Sequence, residues 1–313
     1  MAPMIEDALV EPLARLLLGV SDVDGGPTDE QLGVLHAIVA GCGGRTDMEP
    51  ASLVPLAPDA AADLIRGPEA RRRSRELMVL LELCRHPLVD AQVTRVDEYA
   101  AALGESGAGL DMARDLVRSG AETAKADFFR FYEPHADDVA ERSLRDRYGG
   151  ELPAPDPELA GRLRSLHDLP VGTLGHAYVE FYRRSGITLP GDDPHNPATF
   201  VGHDMCHVIA GYEPVGVDEI ALGAMQLALA DSDTHWAQFL GNLAVHEAGF
   251  LGTDTIVPKQ ATLARPGATD TLAHAMWRGT QCSGDFTSAD HLARVEQPLE
   301  DVRVEFGVPA RTC

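Results

Sequence analysis

Basic residues are scarce in this chain, aromatics are scarcer, and its cysteines show no paired spacing. Lysine and arginine number 26 against 49 aspartates and glutamates, a formal charge of -23. That balance argues against a surface that binds nucleic acid or an anionic membrane through charge, because phosphate would be repelled over most of the molecule. The five cysteines (Cys42, Cys84, Cys206, Cys282 and Cys313) include no CxxC pair and no dense spacing. No disulfide framework is expected, and a reducing compartment fits. Apolar runs are short: Ile220 to Ala230 falls well below the roughly 20 residues that span a bilayer. The N-terminal stretch MAPMIEDALVEPLARLLLGV begins acidic and lacks the basic region and cleavage site of a signal peptide, so a cytoplasmic location without a transmembrane segment is expected.

What is present is folded composition: 44% of the 313 residues are hydrophobic, and the charged 24% is spread along the chain instead of lying in blocks. Residues 5–104 show helical periodicity almost throughout, punctuated by glycine and proline. The pattern predicts helices from about Glu6 to Val20, from a cap at Thr28 to Gly41, and then near 57–66, 69–84 and 88–103, the last stopping at Gly104. No long alternating strand pattern and no fixed-period repeat is visible, so the fold class is all-α with two helical domains. The expected division is a helical domain over 1–105, a helical connector and linker over 106–154 with GGELPAPDP as its clearest linker, and a metal-binding helical domain over 155–313.

The loop DVDGG at Asp22 has the first spacing of a calcium-binding EF-hand, but Pro27 stands where the sharp turn needs glycine and Gly33 where a bidentate glutamate is required. A helix-connecting loop is the reading that survives. LLLGVSDVDGGPTDEQLGVLHAIV, and more loosely LMVLLELCRHPLVDAQVTRVDEYAAALG, resembles the tellurite-resistance TerB-like helical domains, over about a third of the chain. That resemblance supplies no catalytic residue.

The stretch 196–230, NPATFVGHDMCHVIAGYEPVGVDEIALGAMQLALA, carries the chemistry. Asn196 with Pro197 is expected to open a helix that ends near Gly211. At about 100° per residue, His203, Asp204 and His207 fall in one arc of roughly 100° on that helix. Asp218 is expected to cap the next helix and to place Glu219 in its first turn, returning toward the histidines as a fourth ligand or as a base acting on metal-bound water. Two imidazoles and two carboxylates suit zinc, and also iron, manganese or cobalt. His203 and Glu219 are the candidate catalytic groups. Cys206 borders the same arc and is read as a packed thiol.

HDMCH, followed after eleven residues by the glutamate of DEIAL, is similar to the HDxxH, eleven residues, E signature of the coenzyme Q (ubiquinone) biosynthesis protein 4 family. LPVGTLGHAYVEFYRRSGI (169–187) resembles that family's LPxGTLGxAY segment, and PLEDVRVEFGVP (298–309) resembles its closing helix. The resemblance covers 155–309 and implies a divalent transition metal at His203, Asp204, His207 and Glu219 beside an apolar groove. It further implies an aromatic, polyprenylated or quinone-like substrate whose ring carboxylate is replaced by a hydroxyl. Met205 and Cys206 stand where that family has bulkier residues, and Asp218 where a glycine often precedes the glutamate, so metal binding carries over better than the substrate. A homodimer, a biosynthetic partner protein and peripheral membrane contact fit the same reading. The alternative is a non-catalytic lipid- or quinone-binding scaffold in which a structural metal staples two helices.

Other candidates are weaker. His246 and Glu247 begin a zincin-like HExxH, but position 250 is Phe. Trp236, Leu240 and Leu243 form a helix face read as core. Arg278 with the run Thr280 to Asp285 is a candidate carboxylate binder, and Arg71 to Arg73 are read as a solvated helix face.

Overall fold

Helix boundaries fall where the sequence supplies caps and breakers. The computed structural model describes residues 4–147, 155–192, 198–252 and 257–312. Its first helices are α1 (Asp7–Ser21), α2 (Asp29–Gly41), α3 (Pro58–Leu64), α4 (Pro68–Leu83) and α5 (Asp90–Leu103). They lie within a few residues of the spans that periodicity predicts. Thr28 opens α2 with a reciprocal capping box: its hydroxyl accepts from Gln31 N, and the Gln31 side chain accepts from Thr28 N, both at 3.1 Å. Gly104 closes α5 in the left-handed region, with φ 72°.

Between the two halves of the chain lie α6 (Ala108–Arg118), α7 (Ala121–Tyr132) and α8 (Ala136–Val139). Then follow α9 (Pro157–Ser165), α10 (Leu174–Ser185), α11 (Phe200–Ala210), α12 (Gly216–Leu229), α13 (Asp233–His246), α14 (Ala268–Gln281) and α15 (Leu299–Phe306). No strand occurs among the described residues, only the isolated bridges Thr173 to Pro298 and Ala248 to Gln260, so the fold is all-α. No described helix is long and apolar enough to cross a membrane. Most of the expected linker, and the expected cap at Asn196 with Pro197, lie outside the described residues; α11 begins at Phe200.

Two hydrophobic cores fill the protein. The first gathers Leu16, Leu17, Val34, Ile38, Leu80 and Tyr99 from the early helices with Trp236, Leu240, Leu243 and Leu272 from the late ones. The second gathers Tyr178, Phe181, Met205, Ile209, Phe286 and Val302. Core packing thus crosses the boundary expected near residue 155. Helix α12 is the partition: Ile220, Ala224 and Leu227 face the first core, whereas Ala221, Leu222 and Met225 face the second. A helix apolar on both faces has to be covered on both. The face of Trp236, Leu240 and Leu243 is core, as expected.

Two glutamines buried among the early helices link them through hydrogen bonds. Gln31 donates to the Leu81 carbonyl at 3.0 Å and to Gln92 at 3.1 Å, and Gln92 donates to the Val20 carbonyl at 2.9 Å, tying α1, α2, α4 and α5 together. Arg85 donates to the Val23 and Gly26 carbonyls at 2.8 and 3.3 Å, so a guanidinium closes the DVDGG loop. The arginines of α4 correct the expectation of a solvated face. Arg73 is buried against Asp231, and Arg72 pairs with Glu76 at 2.8 Å and also with Asp231. Arg71 donates to the carbonyls of Ile65 and Leu103.

Candidate metal centre

Helix α11 presents His203 and His207 one turn apart, with ring centroids 4.7 Å from each other. Gly211, at φ 78°, ends the helix, and its N–H donates to the His207 carbonyl at 2.7 Å. The short turn that follows brings the first turn of α12 back across the histidines. One oxygen of Glu219, Oε2, then faces both imidazoles, 3.2 Å from His207 Nε2 and 3.7 Å from His203 Nε2. Donor atoms around a tetrahedral zinc with bonds near 2.0–2.1 Å lie roughly 3.3 Å apart, so these spacings match the edges of a coordination shell. Ligand atoms of His203, Asp204 and His207 also fall within 4.8 Å of one another.

Tautomers support the same assignment. His207 Nδ1 lies 3.2 Å from the Tyr212 carbonyl, an acceptor only, so Nδ1 carries the hydrogen. His207 Nε2 then meets the Glu219 carboxylate lone pair to lone pair unless a proton or a cation stands between them. His203 repeats the arrangement, with Nδ1 3.1 Å from Asp204 Oδ1 and Nε2 toward Glu219. The other Asp204 oxygen accepts from the Tyr182 hydroxyl. The nearest contacts of Asp204 are therefore the outer nitrogen of His203 and Tyr182, the arrangement by which a carboxylate fixes the tautomer of a ligating histidine. Replacing Tyr182 with Phe is expected to lower metal affinity about 10–100-fold while leaving the helices intact, measured by competition with a chromogenic chelator.

Charges converge on these groups. Burial works to raise the Glu219 carboxyl, but His207 and then His203 hold it down at about 2. Burial opposes charge on His203, yet Asp204 and Glu219 raise its pKa above the ordinary value. His246, in the last turn of α13, lies close enough to Glu219 to help hold that carboxyl down, and its buried Nδ1 has no hydrogen-bond partner among the described residues. The HExxH pattern correctly fails, but its histidine reaches this centre through the fold. Tyr182 has no local signal that would have marked it.

Asp218 is corrected: α12 begins two residues earlier, at Gly216, and Asp218 lies inside the first turn. Its buried carboxylate accepts from Arg311 at 2.7 and 2.9 Å and from Glu213 N at 2.8 Å, bracing the α11–α12 turn that aims Glu219. Arg278 is corrected as well. It is buried, donates to the carbonyls of Ala210 and Pro309 and stacks over Tyr212, so it holds backbone, not substrate.

A cavity of about 260 Å³ opens on His203 and is lined by Cys206, Gln226, His235, Gln238, Asp285 and Thr287 among others. Most of its lining residues carry polar side chains. A hydrogen-bonded row runs along its wall: Ser232 Oγ is 2.7 Å from His235 Nδ1, His235 Nε2 is 2.8 Å from Thr287 Oγ1, and Thr287 donates to Asp285. Burial lowers the pKa of His235 despite the nearby Asp285. A more open depression of about 570 Å³ lies beside Tyr182, with Val179, Ile187 and Leu189 in its lining.

Behind Cys206, whose Sγ is 3.9 Å from His291 Nε2, lies a fully buried ion pair. His291 Nδ1 is 2.8 Å from Glu141 and Nε2 is 2.9 Å from the Phe286 carbonyl. Both neighbours accept, so both ring nitrogens carry hydrogen and the ring is an imidazolium. Burial opposes this, but contacts with Cys206 and Glu141 prevail and raise its pKa to about 10. A raised folded-state pKa contributes stability below the unfolded value, near 6.5, and loses it as pH climbs toward about 10. Urea midpoints are expected to fall across that window in the wild type. A Glu141→Gln variant is expected to be less stable than the wild type by ~3 kcal/mol at pH 6.5, and its midpoint to fall less as pH rises.

No known family's sequence profile matches the chain, and no curated protein matches it. Among solved structures, it resembles a protein from Nostoc punctiforme described provisionally as a ubiquinone biosynthesis protein, at 18% identity and a TM-score of 0.33, over 76% of this chain and 99% of that one. At that score the likeness carries no argument about function, and the resemblance of 155–309 to the coenzyme Q biosynthesis protein 4 family rests on the motifs themselves.

Proposed function

We propose that this protein is a metal-dependent enzyme acting on the ring of a compact hydroxylated aromatic, a quinone precursor with or without a prenyl chain. The observation that carries the reading is one Glu219 oxygen facing the Nε2 atoms of His203 and His207, with a cavity opening on His203. His203, His207 and Glu219 would hold a divalent ion, with Asp204 as a further ligand or as the partner that orients His203. Such an ion, when bound, polarises a substrate carboxylate or phenolate oxygen.

The chain's own groups divide the remaining work. Glu219, held near 2, stays a carboxylate and suits the ligand role better than that of a base at neutral pH. His235, whose pKa is lowered by burial, is neutral at the cavity wall and suits proton acceptance, with Thr287 and Asp285 behind it. A cavity of about 260 Å³ suits one substituted ring, and Gln226 and Gln238 offer hydrogen bonds to ring oxygens. The apolar depression at Val179, Ile187 and Leu189 is a separate place where a prenyl chain could lie.

The test is elemental analysis of protein purified without a metal-affinity tag, comparing wild type with a His203→Ala, His207→Ala double variant, followed by product analysis with prenylated and unprenylated hydroxybenzoates. The double variant is expected to bind one equivalent fewer and to convert nothing. Equal metal content in the two proteins would sink the site. Metal that is lost together with stability, from a wild type that turns over no ring substrate, would replace the enzyme with the scaffold reading.

A further inference from the structure

We propose that Glu30, His86 and Glu247 form a second divalent-cation site, separate from the His203–Glu219 centre, that clamps the early helices to the far end of α13. Glu30 lies in the first turn of α2, His86 follows α4, and Glu247 caps the C-terminus of α13, so three remote stretches of sequence meet at one point. His86 Nε2 is hydrogen-bonded to Glu247 Oε1 at 2.6 Å and lies 3.7 Å from Glu30 Oε2, and one ligand atom from each residue falls within a 4.8 Å cluster; an ion would take the place of the proton in that bond and part the two atoms to roughly 3.3 Å.

Burial separates this cluster from ordinary surface acidity. The Glu247 side chain is 0% exposed, that of Glu30 8% and that of His86 21%, which leaves His86 as the route from solvent. The second Glu247 oxygen is used by the Leu263 N–H at 2.9 Å, so Oε1 is the atom turned to His86. Glu30 Oε1 is buried without a hydrogen-bond partner among the described residues. A buried acceptor left unmatched is costly, and two neighbouring carboxylates add repulsion. Without a cation a proton relieves the repulsion: burial first, and then Glu247, push the Glu30 carboxyl up to about 9 against a backbone hydrogen bond from Ala264. Even an imidazolium at His86 leaves one negative charge uncompensated when both carboxylates are ionised.

A divalent ion supplies the missing charge and a partner for Glu30 at once. Two carboxylates and one imidazole are the donor set of a first-row ion such as Zn²⁺ or Mn²⁺. Cys84, fully buried nearby, has its thiol pushed well up by burial, Glu247 and Glu30, and so stays a neutral neighbour in the absence of metal. The role inferred is structural, because the donors come from elements that share the first core and no cavity described above opens on them.

The full-length chain, stripped with a chelator and dialysed against Zn²⁺, tests this through bound equivalents. Two are expected for wild type and one for Glu30→Gln, Glu247→Gln. His203→Ala, His207→Ala is also expected to keep one, and its melting temperature should still rise with Zn²⁺. His86→Ala, at the most exposed of the three positions, is expected to weaken one of the two Zn²⁺ equivalents at least tenfold, and it decides the matter if the double glutamine variant does not fold. Unchanged stoichiometry in folded Glu30→Gln, Glu247→Gln, or unchanged affinities in His86→Ala, would overturn the site and leave a carboxyl pair sharing a proton. One wild-type equivalent, lost with the Glu30 and Glu247 changes but kept without His203 and His207, would uphold this site and remove the proposed catalytic one.

Discussion

Alanine at His207 is expected to weaken metal binding at the α11–α12 centre by well over 100-fold, more than the roughly 10–100-fold that loss of an outer partner costs. His207 is the best-determined donor of the set: its side chain is fully buried, its Nδ1 hydrogen is committed to the Tyr212 carbonyl, and its ring stacks on Phe181 with centroids 5.5 Å apart. Glu219 should register the loss, since His207 is the largest influence holding its carboxyl down. Titration with Zn²⁺ against a competing chelator measures the first effect, and conversion of a ring substrate measures its consequence. Binding that changes less than the Tyr182→Phe variant would show that His207 is not a ligand.

Alanine at Gly279 is expected to cost about 3 kcal/mol, the upper part of the range for overpacking a core, and to lower the melting temperature by roughly 4–5 °C. A Cβ at Gly279 of α14 would collide with the Met225 carbonyl of α12 and come within 2.8 Å of the Ala228 side chain. Backbone cannot give way as a flexible side chain can. Along the same helix, α14 passes so near α2 that a Cβ at Gly41 would lie 2.5 Å from the Ala273 carbonyl. The two glycines let three helices approach backbone to backbone, and this seam joins the early helices to the partition helix. Gly161 of α9 is the control: a Cβ there meets nothing within 4 Å, so Gly161→Ala should be neutral or stabilise by up to ~1 kcal/mol. Thermal melts followed by circular dichroism separate the two, and an unperturbed Gly279→Ala protein would mean the helices are not packed this closely.

Local signals were legible because they act within a turn or two. Thr28, Gly104 and Gly211 marked helix ends, and the i, i+4 spacing put His203 and His207 on one side of α11 whatever the rest of the chain does. The approach of Glu219 also followed from local geometry, since a short turn between helices leaves little freedom; only the cap was misplaced, because Asp218 braces Arg311 and Glu213 from inside the helix. Arg71 to Arg73, read as solvated, and Arg278, read as a carboxylate binder, find their partners only in the fold: Asp231 for Arg73 and the Ala210 and Pro309 carbonyls for Arg278.

By itself, then, the sequence determined an all-α chain, most of the early helix ends and the side of α11 that carries the paired histidines, because hydrophobic period, caps and side-chain spacing are properties of neighbouring residues. The tertiary structure decided that Tyr182 holds Asp204, that His246 reaches Glu219, that a polar cavity opens on His203, and that Glu30, His86 and Glu247 meet. These contacts join residues far apart in the chain, and they exist only once α12 is covered on both faces and α14 has closed against it through Gly279.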